Sequence, residues 1–144
     1  MATDFARLYP TEAESEARLI DDFSAFLAQN RIDAEIAHYL TLCVSEAFTN
    51  AMMHGNKWDK TKSVSVHLSV NDAEVCADIT DQGRGGLASI ARRPRPGLLA
   101  ESGRGVDFIY RYCAGVEFTE VEGGGLRVSL RVPRSRTKHV VKRP

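Results

Sequence analysis

Between Ser63 and Asn71 the chain alternates without interruption: Val64, Val66, Leu68 and Val70 are apolar, while Ser63, Ser65, His67, Ser69 and Asn71 are polar. A period of two is that of a strand with one face buried. Asn71-Asp72 supplies a turn, and Val75, Ala77 and Ile79 resume the alternation, so the two segments are predicted to pair as an antiparallel hairpin. Two helices are predicted ahead of it. Thr11 with Glu14 three residues on reads as a capping box, followed by Ala17, Ile20, Phe23 and Leu27 at helical spacing, with an end near Asn30. Asp33 reads as the N-cap of a second helix, whose apolar stripe runs Ile36, Leu40, Cys43, Val44, Ala47 and Ala51 and stops at Gly55. Phe5, Leu8 and Tyr9 before Pro10 suggest a short edge strand. Past the hairpin, Val106, Ile109, Tyr110 and Cys113 predict a third helix, and strands over 115–122 and 125–132 flank Gly123-Gly124-Gly125.

Composition narrows the class. At 144 residues and 43% apolar, one domain with its own core is the expectation. Lys plus Arg and Asp plus Glu number 19 each, so no overall basic field points to nucleic acid. Cys43, Cys76 and Cys113 are far apart, lack C-x-x-C spacing and sit in apolar runs, where a small buried thiol is the usual reading. No charged start leads into an apolar leader, and no apolar run reaches the roughly 20 residues needed to cross a bilayer. The expected location is cytoplasmic, with no membrane partner.

Three constellations carry chemistry. The parity that sends Val75, Ala77 and Ile79 inward also sends Asp81 inward, where a carboxylate needs a hydrogen-bond donor from the protein or a ligand. Gly83 and Gly85, in Asp81-Gln82-Gly83-Arg84-Gly85, let the backbone turn sharply and approach a flat ligand; the alternative is an ordinary Asp-Gly turn. On the second helix Glu46 and Asn50 share a face, with His54 one turn further, beside the apolar stripe. A carboxylate and a carboxamide suit a hard cation such as Mg2+, and Glu46 is also able to accept a hydroxyl proton; the alternative is a solvated helix face. Gly103-Arg104-Gly105 stands before the third predicted helix, where backbone amides favour phosphate, although a lone G-x-G is common. The segment from Gly83 to Gly105 exceeds the roughly 12–15 residues of ordinary loops and is a candidate lid, with a short helix near Leu87 to Ala91.

The order Glu46-Ala47-Phe48-Thr49-Asn50 to His54-Gly55, then Asp81 to Gly85, then Gly103-Arg104-Gly105, resembles the N-box and two glycine boxes of the Bergerat-fold (GHKL) ATPases shared by gyrase, histidine kinases and mismatch-repair ATPases. Within them the chain looks like the small anti-sigma-factor serine kinases of bacterial partner-switching systems. The resemblance covers Thr11 to Val132 and implies a two-layer α/β sandwich, its mostly antiparallel sheet covered on one face by helices, with ATP held between helices and sheet. It implies Asn50 as Mg2+ ligand, Glu46 as base or orienter for a serine hydroxyl, and Asp81 as acceptor of the adenine amino proton. Gly83, Gly85, Gly103, Arg104 and Gly105 would shape the nucleotide pocket and lid. Residues 1–132 would form the kinase-like domain and 133–144 a basic, mobile tail. The implied partners are a sigma factor or similar regulator, an antagonist protein with a phosphorylatable serine, and a second copy of the chain.

Leu126 departs from the pattern, since relatives usually carry a small hydroxyl residue there. Arg92, Arg93 and Arg95 in the lid would clamp phosphates or an acidic partner, or simply keep a loop in solvent; Arg18 is either a partner contact or an exposed helix arginine. Two other functions compete with the kinase: a nucleotide-gated binding module without catalysis, and the catalytic domain of a histidine-kinase phosphorelay, for which the chain lacks a long dimerisation helix with a phosphoacceptor histidine.

Overall fold

The structure is a computed structural model that describes residues 3–88 and 115–134. In chain order it contains β1 (Asp4–Pro10), α1 (Glu14–Gln29), α2 (Ala34–Asn50) continued by one π turn (Ala51–Gly55), β2 (Ser63–Val70), β3 (Glu74–Thr80), β4 (Gly115–Glu120) and β5 (Leu126–Pro133). The strands form one antiparallel sheet in the order β1-β2-β3-β5-β4. Val64, Val66, Leu68 and Val70 of β2, Val75, Ala77 and Ile79 of β3, and Leu126, Val128, Leu130 and Val132 of β5 all turn to one face and are buried. The helices pack on that face, giving the two-layer α/β arrangement. No helix among the described residues is long and apolar enough to cross a membrane.

Several expectations are realised. Asp33 caps α2 through Oδ1, which accepts the N–H groups of Glu35 and Ile36 at 3.0 and 3.4 Å. Asn71 Oδ1 closes the β2–β3 turn by accepting from Ala73 and Glu74. Gly123 and Gly124 adopt φ of 89° and 94°, the left-handed backbone that glycine tolerates best. β1 is an edge strand, and its Tyr9 ring meets Phe48 edge-on with centroids 5.5 Å apart.

Others are corrected. The capping box does not form: α1 begins at Glu14, two residues later than a cap at Thr11 would start it, and Thr11 Oγ1 instead donates to the Lys62 carbonyl at 2.6 Å. The buried stripe of α1 is Leu19, Phe23, Phe26 and Leu27, while Ala17 is exposed and Ile20 only half-buried. The helix has turned its bulkier side chains inward, because they remove more apolar surface from water. Cys43 is buried as expected, but Cys76 lies on the polar-facing side of β3, where its thiol donates to Glu74 at 3.3 Å. The sheet also continues through Pro133, which is opposite Glu74, and the Arg134 guanidinium donates to the carbonyls of Asn30 and Asn71.

One side chain gathers four segments. Asn56, 1% exposed, donates from Nδ2 to Thr11 Oγ1 at 3.0 Å and to the Ser63 carbonyl at 3.1 Å. Its Oδ1 accepts the N–H of Gln82 at 2.7 Å, and its own N–H closes the π turn on the Ala51 carbonyl. Gln82 reciprocates by accepting the Ser63 N–H at 2.7 Å. The end of the α2 rod is thus fastened to the β1–α1 turn, the start of β2 and the exit of β3.

Truncating Asn56 to Ala leaves buried groups of three segments without partners, each costing about 1–3 kcal/mol. Urea unfolding of Asn56→Ala is expected to show about 3 kcal/mol less stability at an unchanged m-value; a loss below about 1 kcal/mol contradicts the junction. A second expectation concerns alkaline pH. Burial, and then the hydrogen bond to Asp22 Oδ2 at 2.6 Å, push the Tyr9 phenol above its ordinary value of 10.0. The unfolded chain therefore loses the Tyr9 proton near pH 10 while the folded chain keeps it, so this contribution to stability is complete below pH 10 and falls as pH rises beyond it. Unfolding free energy measured from pH 9 upward should fall less steeply in Tyr9→Phe than in wild type.

Candidate functional site

The candidate site lies where the α2 rod ends against the exit of β3. Strand parity carries Asp81 to the inner face, and it is 3% exposed. Its Oδ1 accepts the N–H groups of Gly83 at 2.9 Å and Leu126 at 3.1 Å, and its own N–H donates to the Leu126 carbonyl at 3.0 Å. Charge-assisted bonds of this kind offset the desolvation of a buried carboxylate. The Gly83 bond spans two residues, so the Asp-Gly turn and the inward carboxylate are realised together. Leu126 reaches Asp81 through its backbone, and that contact does not require a side-chain hydroxyl.

Glycines let the segments interlock. A side chain at Gly55 would overlap Oδ2 and Cγ of Asp81, and one at Gly83 would overlap the Gly55 carbonyl and come within 3.1 Å of Asp81 Oδ1. The end of the helix and the exit of the strand are thus packed closely together at these two glycines. Gly85 is exposed just beyond. Gly86, which sequence reasoning did not single out, is buried with φ of 50°, and its N–H donates to the Gly124 carbonyl at 2.8 Å. It opens a single turn of 3-10 helix over 86–88, and the remainder of the short helix expected near Leu87 to Ala91 lies outside the described residues.

Successive residues of α2 divide the surroundings by angle, about 100° apart. Ser45 and Thr49 face α1, where both hydroxyls donate to Glu16 Oε2 at 2.7 and 3.1 Å. Ala47 and Ala51, with Gly55 in the same row, face the core and Asp81. Glu46 and Asn50 lie between these two rows. Glu46 is 5% exposed, and Glu46 Oε2, Asn50 Oδ1 and His54 Nε2 are buried atoms. No donor among the described residues reaches Asn50 Oδ1. A solvated helix face is therefore not what this row is. The π turn changes the ladder over Ala51–Gly55, so His54 follows Asn50 in a wider turn than the helical spacing predicts.

These residues fit a magnesium nucleotide in chemistry. A buried carboxamide oxygen beside a carboxylate matches a hard cation, and a fixed carboxylate in a glycine-walled cradle matches the amino edge of a flat ring. A surface cavity of about 390 Å³ also adjoins Asp81, but Leu8, Ser63, Ser65 and Thr80 line it from the sheet's outer face, and neither Glu46 nor Asn50 contributes. It is not the space between the layers. Gly103, Arg104 and Gly105, with Arg92, Arg93, Arg95, Cys113 and the third predicted helix, lie outside the described residues. Sequence reasoning also missed Asn56 and Gln82, for which the only signal was a short polar residue directly behind the helix-ending Gly55.

The model of the family described as histidine kinase-like ATPase domain matches residues 9–132. The chain is similar to the anti-sigma F factor of Clostridium perfringens strain 13, 36% identical over 78 residues, 54% of each chain. That match spans about half the length of the relative. It is also similar to the anti-sigma F factor of Clostridium botulinum strain Alaska E43, 25% identical over 128 residues, covering 85% of this chain and 89% of the other. Among solved structures, the RsbU and RsbW domains of a Mycobacterium tuberculosis protein share the fold with TM-score 0.63 at 18% identity, over 91% of this chain and 32% of that one. The blue-light activated histidine kinase of Erythrobacter litoralis gives TM-score 0.54 at 25% identity, over 76% and 34%.

The Gly55 contact has a direct consequence. Asp81 is fixed by its amide bonds and cannot swing away from an added methyl, so Gly55→Ala should cost about 1–3 kcal/mol of unfolding free energy. Gly85→Ala, at an exposed position, serves as the control and should change stability by under about 1 kcal/mol. Equal effects in urea unfolding would contradict the interlocked backbone.

Proposed function

This chain belongs to the histidine kinase-like ATPase domain family, and from that premise we propose that it is an ATP-dependent protein serine kinase and anti-sigma-type regulator, which phosphorylates an antagonist protein in a partner-switching system. The observation that carries this reading is the row of buried polar atoms at Glu46 and Asn50 on α2, the helix whose end at Gly55 packs against the fixed carboxylate of Asp81. Mg-ATP, when bound, supplies the transferable phosphoryl group and the metal charge that balances its oxygens.

The remaining work falls to the chain's own side chains. Asn50 Oδ1 would hold the Mg2+, a hard cation suited to an oxygen ligand of this kind. Asp81 would accept the amino hydrogen of adenine, its carboxylate kept oriented by the Gly83 and Leu126 amides. Glu46 receives the proton of the attacking serine hydroxyl, a task suited to a carboxylate shielded from bulk water. Gly83 and Gly85, with Gly103, Arg104 and Gly105, give the nucleotide backbone access and positive charge. In phosphoryl transfer most of what a protein contributes is positioning and electrostatic stabilisation, and this set provides both. The partners are a sigma factor or similar regulator, an antagonist with a phosphorylatable serine, and a second copy of the chain, all in the cytoplasm; the similarity to two anti-sigma F factors supports this assignment. Residues 1–132 supply the kinase unit, and 133–144 begin as the last pairings of its sheet and continue as a basic tail.

Labelled γ-phosphate transfer to the antagonist, followed beside ATP affinity, tests the assignment. Glu46→Gln should lower transfer by about 100-fold or more while ATP affinity stays within a few-fold of wild type. Asn50→Ala should lose the Mg2+ dependence of ATP binding. Wild-type protein that binds ATP but transfers no phosphate would leave a nucleotide-gated binding module in place of the kinase.

A further inference from the structure

The loop from Asn56 to Lys62 joins the functional end of α2 to β2, and it is both exposed and rigid. Lys57 and Trp58 adopt φ of 52° and 58°, two consecutive left-handed residues without glycine. Such backbone disfavours L side chains, and for a bulky one it is uncommon enough to need a reason. Trp58 is also 45% exposed. Neither the local backbone nor the core therefore selects tryptophan here; glycine or asparagine would form the same turn with less strain.

The loop is nonetheless firmly held. The Trp58 N–H donates to the Met52 carbonyl at 2.9 Å, Asp59 N–H to the Asn56 carbonyl at 3.0 Å, and Lys62 N–H to the Asp59 carbonyl at 3.0 Å. Asp59 Oδ1 accepts both the N–H and the hydroxyl of Thr61 at 2.9 and 2.6 Å, bonds that hold its carboxyl below the usual range and hence ionised. Asn56 anchors the base of the loop in the interior. A large aromatic presented on a preordered backbone loses little freedom on association, which is what distinguishes an interface anchor from a chance exposed side chain. The surrounding charge defines the partner. Lys57, Lys60 and Lys62 stand against the single carboxylate of Asp59, giving the loop a net positive charge.

We propose that Trp58 is an anchor for the regulator: it enters an apolar pocket on the sigma factor, and Lys57 and Lys60 meet carboxylates at that pocket's rim. This inference rests on the regulator reading above and adds the surface through which binding occurs. Electrostatic complementarity of this kind accelerates association, and a buried aromatic anchor slows dissociation.

The test uses the full chain with the purified sigma factors of its source organism. Trp58 is the single tryptophan of the sequence, so fluorotryptophan labelling gives one fluorine NMR line that reports this side chain alone. Addition of the bound sigma factor should shift or broaden that line. Trp58→Ala should weaken affinity by about 30-fold or more, the loss typical of a hot-spot residue, while Trp58→Phe retains part of it. Lys57→Glu with Lys60→Glu should slow association and reduce its salt dependence. Should Trp58→Ala fail to fold, the fluorine line of the wild-type chain still decides the matter. A sigma factor that binds without moving the line, or that binds Trp58→Ala as tightly as wild type, overturns the anchor and leaves the regulator reading intact. Absence of binding by every sigma factor to the wild-type chain overturns both.

Discussion

The structure depends on one buried carboxamide more than on any charge. Asn56 sits where four chain segments meet, and each of its bonds joins elements distant in sequence: Thr11 from the first turn, Ser63 from the start of β2, Gln82 from the exit of β3. Hydrophobic burial alone would let α2 slide or rotate over the sheet, since apolar contact has no direction. A satisfied buried amide imposes direction, because displacement in any sense would leave donors and acceptors unpaired in a medium that cannot solvate them. Once Asn56 is seated, Gly55 must lie against Asp81, and the Glu46 and Asn50 row takes its place between α1 and the sheet.

The carboxylate of Asp81 is then held as a part of the backbone framework. Two amides, one from the turn after β3 and one from the start of β5, converge on Oδ1, so its orientation is inherited from the pairing of β3 with β5. This explains how leucine is accommodated at position 126. The backbone N–H performs the contact, and the buried side chain adds to the core. Preorganisation of this sort is what a site needs when its chemistry is positioning.

Much of this was legible in the residues. The alternation in Ser63–Val70 and Glu74–Thr80 gave both strands and the inward direction of Asp81, because a period of two leaves no choice of face. The cap at Asp33 and the stripe of α2 were equally clear, since local chemistry and burial agreed there. Thr11 misled for the opposite reason: its hydroxyl fitted a local cap, but a carbonyl fifty-one residues away competed for it and won. Ala17 and Ile20 misled because several helical faces of α1 are apolar enough to be a stripe, and only the sheet determines which is used. The role of Asn56 was invisible, since a polar residue after a helix end is ordinary until its three partners are brought together. The π turn left no mark in composition at all.

The strand order has a further meaning for how such chains diversify. β3 and β4 both pair with β5, which lies between them, so β4 begins at Gly115 opposite Arg131, at the other end of the sheet from the Thr80 exit of β3, while the Leu87 N–H donates to Glu120 at the end of β4. Closing a longer excursion between fixed ends grows only logarithmically in cost, about 0.6 kcal/mol for each doubling. A change of length in that interval therefore adds little to the closure cost borne by the paired strands. Chains of this design are thereby able to vary what lies between the two strands without renegotiating the platform beneath it.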